Sequence, residues 1–166
     1  KAAELAALLE VSRRDVDIAL RNETALFCEK IGVDYTETQK IIETDTNSPS
    51  HAITISDEGF SDEPYLLLED SESLNMKPRV AAAARDANEE AVKHVANLVK
   101  DALRSCEKTL KRARIAVLGA SQTPNVQSPI KRTAKKIVET LEVRGAKVSL
   151  YDPYLPPEEI SETPYQ

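Results

Sequence analysis

The sequence predicts an α/β chain in which long helices come first and a single strand-helix-strand unit follows. Two stretches, Lys1 to Ile31 and about Val80 to Thr109, repeat apolar residues at three- and four-residue spacing for many turns. A third, Arg114 to Tyr154, changes from a short β-branched run to helical spacing and back to alternation. Because a helix separates them, the two strands are expected to lie parallel.

Element by element, Leu5, Leu9, Val16, Ala19, Leu20, Phe27 and Ile31 mark one stripe of a first helix. Ser12 and Glu23 interrupt it, and Gly32 ends it. At 1.5 Å per residue that helix is about 45 Å long. A shorter helix is expected over Tyr35 to Glu43, then a polar loop from Thr44 to Ser50, a short extended stretch at Ile53 to Ile55 and an acidic loop from Ser56 to Glu63. Pro64 to Leu74 reads as a short helix, and Asn75 to Pro78 leads into the longest one. Val80, Ala84, Ala87, Ala91, Val95, Leu98, Ala102 and Cys106 form its stripe, with alanines filling the first half. Small residues on a buried face suit close helix pairing, so the two long helices are read as crossed or antiparallel partners. Their stripes exceed what the short helices can cover, which implies a symmetric homodimer through the long helices.

In the last third, Arg114 to Leu118 is a strand ending at Gly119, and Ser128-Pro129 offers an N-cap and a first-turn proline. Ile130, Ala134, Ile137, Val138 and Leu141 give the following helix its apolar stripe, opposite Lys131, Arg132, Lys135 and Lys136. Gly145 stops that helix and Ala146 to Tyr151 alternates into the second strand. The reading divides the chain into a helical domain over 1–110 and a β-α-β module over 111–166.

Composition excludes several functions. The 166 residues are 41% hydrophobic and 30% charged, and no apolar run approaches the ~20 residues that span a bilayer. No signal peptide is legible, so a cytoplasmic location is expected, and the start at Lys1 suggests a fragment. Cys28 and Cys106 both fall in helical patterns, as buried thiols would. Charge is uneven: residues 1–75 hold 17 of the 28 acidic side chains, and residues 100–147 hold 12 of the 22 basic ones. The basic region has no aromatic platform, aromatics being 4% of the chain, so nucleic acid is not an expected partner. The Asp57 to Glu63 loop lacks EF-hand spacing, and His51 and His94 share no helix face, so no metal site is expected.

The pieces DIALRNETALFCEKIGVD (17–34), PYLLLE (64–69), RVAAAARDANEEAVKHV (79–95), IAVLGA (115–120), the Ser128-Pro129 pair and GAKVSLYDPY (145–154) occur in the order and spacing of a known family. The chain resembles the UDP-glucose/GDP-mannose dehydrogenases, in their central dimerisation domain and the first part of their C-terminal, Rossmann-like, nucleotide-sugar-binding domain. The resemblance implies NAD-dependent oxidation of a sugar-nucleotide C6 hydroxyl to a carboxylate through a thiohemiacetal, using a cysteine, a lysine, an asparagine and an aspartate. By the same resemblance the lysine falls at Ala7 and the asparagine at Val11, residues that donate nothing to an oxyanion. The stretch ITISDEGFSDEPY holds no cysteine where the family carries its nucleophile, and Cys28 reads as core. A family arginine falls near Ser50, and a lysine after the first strand falls at Thr123 in the short loop ASQTPNVQSP.

With only Gly32, Gly59, Gly119 and Gly145, no GxGxxG fingerprint can be written, so NAD, the family's cofactor, is not expected to bind this chain. No catalytic residue is assigned. The sequence therefore reads as a fragment or degenerate member that keeps scaffold and dimer interface, with a nucleotide sugar as the remaining ligand class. The alternative is part of an active UDP-sugar dehydrogenase whose other domain lies elsewhere. A helical binding module without enzymatic activity is the minor reading.

Overall fold

A computed structural model describes residues 1–46, 63–121 and 132–155. In order they form α1 (Ala2–Ile31), α2 (Tyr35–Thr46), α3 (Glu63–Ser73), α4 (Arg79–Ser105), β1 (Arg114–Leu118), α5 (Arg132–Val143) and β2 (Lys147–Tyr151). The expected extended stretch at Ile53 to Ile55, the acidic loop up to Asp62 and the helix start at Ser128-Pro129 lie outside the described residues. The chain divides into two compact units, Lys1–Glu89 and Glu90–Gln166, and α4 runs through the division.

In the first unit, α1 closes where Gly32 takes a left-handed φ of 73°. The Val33 amide then donates to the Cys28 carbonyl at 3.0 Å and the Gly32 amide to that of Glu29 at 3.3 Å, a Schellman closure. Asp34 starts α2 immediately afterwards: its Oδ1 accepts from the Thr36 and Glu37 amides at 2.6 and 3.2 Å. Cys28 is buried, as expected, with its Sγ 3.9 Å from the Thr38 hydroxyl.

The buried face of α1 differs from the apolar stripe read in the sequence. Leu5, Leu9, Leu20, Phe27 and Ile31 are all more than half exposed, whereas Ser12, Asp15, Ile18, Ala19 and Asn22 are buried. On α4 the expected stripe positions Ala84 and Ala91 are buried, but Ala81, Arg85 and Asn88 beside them are buried as well, and Val80 is exposed. The reason is chemical. Asp15 accepts from Arg85 through both carboxylate oxygens, with Nε at 2.6 Å, and from Asn88 Nδ2 at 2.8 Å. Asn22 Nδ2 donates to Asn88 Oδ1 at 3.0 Å. Polar groups whose bonding is satisfied by one another can be buried, and a count of apolar residues cannot see them.

In the second unit, β1 and β2 pair in parallel, with Arg114 opposite Lys147 and Leu118 opposite Tyr151. Val148 and Leu150 are buried and Ile115 and Val117 partly so, packed with Ala134, Val138 and Leu141 of α5 and with Ala96, Val99 and Leu103 of α4. The opposite face of the sheet, including Leu118 and Tyr151, is exposed. Gly145 ends α5 with φ 90°, and a Cβ there would stand 3.3 Å from Lys111 Cγ, so both conformation and space select glycine.

α4 ends sooner than its pattern suggests. Glu107 adopts φ 57° and donates its amide to the Arg104 carbonyl at 2.9 Å, while the Lys108 amide reaches that of Leu103 at 2.9 Å. A non-glycine residue thus makes the Schellman closure. Cys106 falls beyond the helix and is exposed, correcting its expected burial.

Candidate functional site at the carboxyl ends of the strands

In open α/β sheets ligands lie beyond the carboxyl ends of the strands, which here means Gly119 to Ser121 after β1 and Asp152 to Leu155 after β2. Gly119 takes φ 85° and donates its amide to the Tyr151 carbonyl at 2.9 Å, prolonging the ladder by one bond. The next two amides turn to a carboxylate. Asp152 Oδ2 accepts from the Ala120 amide at 2.8 Å, the Ser121 amide at 2.8 Å and the Ser121 hydroxyl at 2.7 Å. Its Oδ1 accepts from the Tyr154 amide at 2.9 Å.

The carboxylate is 6% exposed, so the two strand ends are clasped by a buried anion that four donors satisfy. Those donors, the Tyr154 amide foremost and then the Ala120 amide and the Ser121 hydroxyl, hold its pKa well below the ordinary carboxylate range. One consequence is that the Ala120 and Ser121 amides already serve an internal anion and are not free for a phosphate.

A group with a depressed folded-state pKa adds stability above its unfolded pKa, about 3.9 for aspartate, and that contribution is lost as pH falls toward the folded value. The second unit is therefore expected to weaken with acid below roughly pH 4. An Asp152→Asn variant should lose that part of the acid dependence. Acid titration of the Ala120 and Ser121 amide signals by NMR checks this, and identical profiles in parent and variant would refute it.

The positions singled out by sequence fall elsewhere. Ala7 and Val11 lie on α1, four residues apart and hence on one face, with Ala7 exposed and Val11 half-buried. Both side chains are hydrocarbon, so that face offers no donor, acid or base from either position. Ser50 and Thr123 lie outside the described residues. Among the described residues no group of three metal-ligating side chains occurs, and no helix is long and apolar enough to cross a membrane. Asp152 was not among the predicted site residues. Its sequence signal is an acidic residue directly after a strand, and its partners 31 and 32 residues earlier are mostly backbone groups.

Comparison with known proteins decides the family. A model of the UDP-glucose/GDP-mannose dehydrogenase family, central domain, matches residues 1–90. The chain belongs to this family. A UDP-N-acetyl-D-mannosamine dehydrogenase of Pyrococcus horikoshii is 32% identical over 155 residues, covering 92% of this chain and 36% of that protein. One of Methanococcus maripaludis is 29% identical over 154 residues, covering 92% and 35%.

Among solved structures of this dehydrogenase family, the UDP-D-ManNAc dehydrogenase from Pyrococcus horikoshii superposes with a TM-score of 0.79 at 30% identity, over 93% of this chain and 37% of that one. A UDP-glucose dehydrogenase from Pyrobaculum islandicum gives 0.81 at 21% identity, over 97% and 37%, a likeness of fold. The chain thus spans a little over a third of the length of these dehydrogenases.

Proposed function

We propose that the chain is a degenerate member of the NAD-dependent nucleotide-sugar 6-dehydrogenases, keeping the family's scaffold and self-association surface without its catalysis. The observation that carries this is the pair Ala7 and Val11. Both sit inside α1, a helix continuous from Ala2 to Ile31, so a local change of register does not explain the missing lysine and asparagine. Residues 1–110 would supply the scaffold and residues 111–166 what remains of a nucleotide-sugar module. The exposed side chains of Leu20, Phe27 and Ile31 on α1 and Leu98 on α4 support a homodimer through the long helices, since monomers seldom leave such surface uncovered. Free Cys28 and Cys106 suit a reducing, cytoplasmic setting.

A second reading is that the chain is part of an active UDP-sugar dehydrogenase whose NAD-binding domain lies in further sequence. The limited share of each relative that it spans favours that reading. Activity separates the two when the longest available chain containing these residues is assayed with NAD and UDP-N-acetyl-D-mannosamine or UDP-glucose. No NADH formation is expected, whereas cysteine-dependent turnover would overturn the degenerate reading. Sedimentation of the same protein should show a dimer; a monomer at all concentrations would refute the self-association surface.

A further inference from the structure

The sheet of the second unit is covered on one face only. Parallel sheets are ordinarily covered on both, because their crossover connections place helices over each face. Here α4 and α5 pack on the face of Val148 and Leu150, while Arg114, Ala116 and Leu118 of β1 and Lys147, Ser149 and Tyr151 of β2 are exposed. The register sets Arg114 beside Lys147 at one end of the bare face and Leu118 beside Tyr151 at the other, with the small Ala116 and Ser149 between. Its basic end is unfavourable where it stands. Like charges directly opposite one another on a sheet repel, and no carboxylate pairs with Arg114 or Lys147 among the described residues. Arg112 adds a further exposed cation, its amide bonded to the Gly145 carbonyl at 2.7 Å next to the start of β2.

The chain also carries a surface of matching dimensions and opposite sign. Residues 41–76 contain no lysine or arginine. Within them α3 buries Pro64 and Ser71 and exposes Leu66, Glu69, Asp70, Ser73 and, just past its end, Leu74. Those positions follow three- and four-residue spacing and so form one stripe, acidic in the middle and apolar at both ends. No cation pairs with Glu69 or Asp70 among the described residues. Carboxylates close to a helix C-terminus meet the negative end of its dipole, so these charges too are unfavourable to the element that bears them. Leu66 to Leu74 covers about 12 Å at 1.5 Å per residue. Arg114 to Leu118 covers about 13 Å at 3.3 Å per residue.

We propose that α3 of one copy of this chain covers the free sheet face of another, setting Glu69 and Asp70 on Arg114 and Lys147, and Leu74 on Leu118 and Tyr151. A helix is the element that ordinarily covers a parallel sheet, and charges that repel within each surface become ion pairs between the two. Because two different surfaces meet, the contact either closes as a ring or a reciprocal pair, or it extends. It uses none of the α1 and α4 side chains assigned to the homodimer, so either association can fail alone.

Sedimentation velocity of the full chain over a range of concentrations, at ionic strengths of 0.01 M and 1 M, tests the contact. The screening length falls from about 30 Å to about 3 Å between those conditions. At low salt a species larger than the one present at high salt is expected, growing with concentration. Glu69→Lys with Asp70→Lys should abolish that step, and so should Arg114→Glu with Lys147→Glu. All four positions are exposed, and circular dichroism verifies that the variants keep their fold. An equimolar mixture of the two double variants should recover the larger species, because each then offers the surface that the other lacks. Leu74→Ser should weaken the step several-fold, which attraction between charges alone would not show. Absence of a salt-sensitive step, no recovery in the mixture, or an unaffected Leu74→Ser variant would each overturn the proposal. So would loss of the larger species after nuclease treatment, because the basic end would then be holding nucleic acid.

Discussion

Replacing Arg85 with methionine is expected to destabilise the helical unit by about 3–5 kcal/mol, the usual cost of leaving one member of a buried ion pair alone. Asp15 and Arg85 are 2% and 4% exposed, so water cannot replace the lost guanidinium. The Asp15 carboxylate would retain only the Asn88 amide at 2.8 Å, too little for a buried charge. Arg85 also lies 5.5 Å from the centre of the Tyr65 ring, whose hydroxyl donates to Glu89 at 2.6 Å, so the substitution loosens α3 from α4 as well.

Adding Asp15→Leu should recover much of the loss, because removing both charges also removes their desolvation cost. Recovery would remain incomplete, since Asn88 would lose its carboxylate acceptor, although its bond from Asn22 persists. Urea unfolding of the parent, the single variant and the double variant measures the coupling. A loss under about 1 kcal/mol in Arg85→Met would mean that the pair is solvated in solution.

That buried pair also marks where the sequence stops being informative. Element order was legible because periodicity and helix-ending glycines report local backbone preference, and the seven elements among the described residues were anticipated in their observed order. Which face of α1 is buried was not legible. Leu9 and Phe27 look like core by composition, but Asp15 and Asn22 occupy the interior because Arg85 and Asn88 approach from some 70 residues away. A complementary polar pair across that separation leaves no periodic trace in either helix. The helix end at Glu107 carries no such sequence mark for a related reason: glutamate, where glycine is the usual signal, adopts the left-handed closure. At the sheet, Tyr151-Asp152-Pro153 was recognisable as an ending, whereas the role of the carboxylate emerged only once the amides after β1 were placed beside it.

Truncating Leu141 to alanine should have the other large effect, a loss of about 2–5 kcal/mol concentrated in the second unit. Leu141 is 1% exposed and sits among Val138, Val148 and Leu150, where few residues are available to close a cavity. A two-stranded parallel sheet is marginal on its own, so its stability depends on the α5 and α4 side chains packed against its buried face. Val143, two residues along the same helix but 88% exposed, supplies the control: its alanine variant should differ from the parent by no more than about 0.5 kcal/mol.

Amide exchange resolves where the loss falls. In Leu141→Ala, protection should drop along Ile115 to Leu118 and Val148 to Tyr151, while the amides around Asp15 and Asn22 keep theirs. Uniform loss through both regions would show that the two compact units unfold as one. Equal effects of the Leu141 and Val143 substitutions would contradict the packing of α5 against the sheet. The same measurement bears on the Asp152 clasp, because its donors after β1 keep their protection only while the strands remain paired through the Leu118–Tyr151 end of the register.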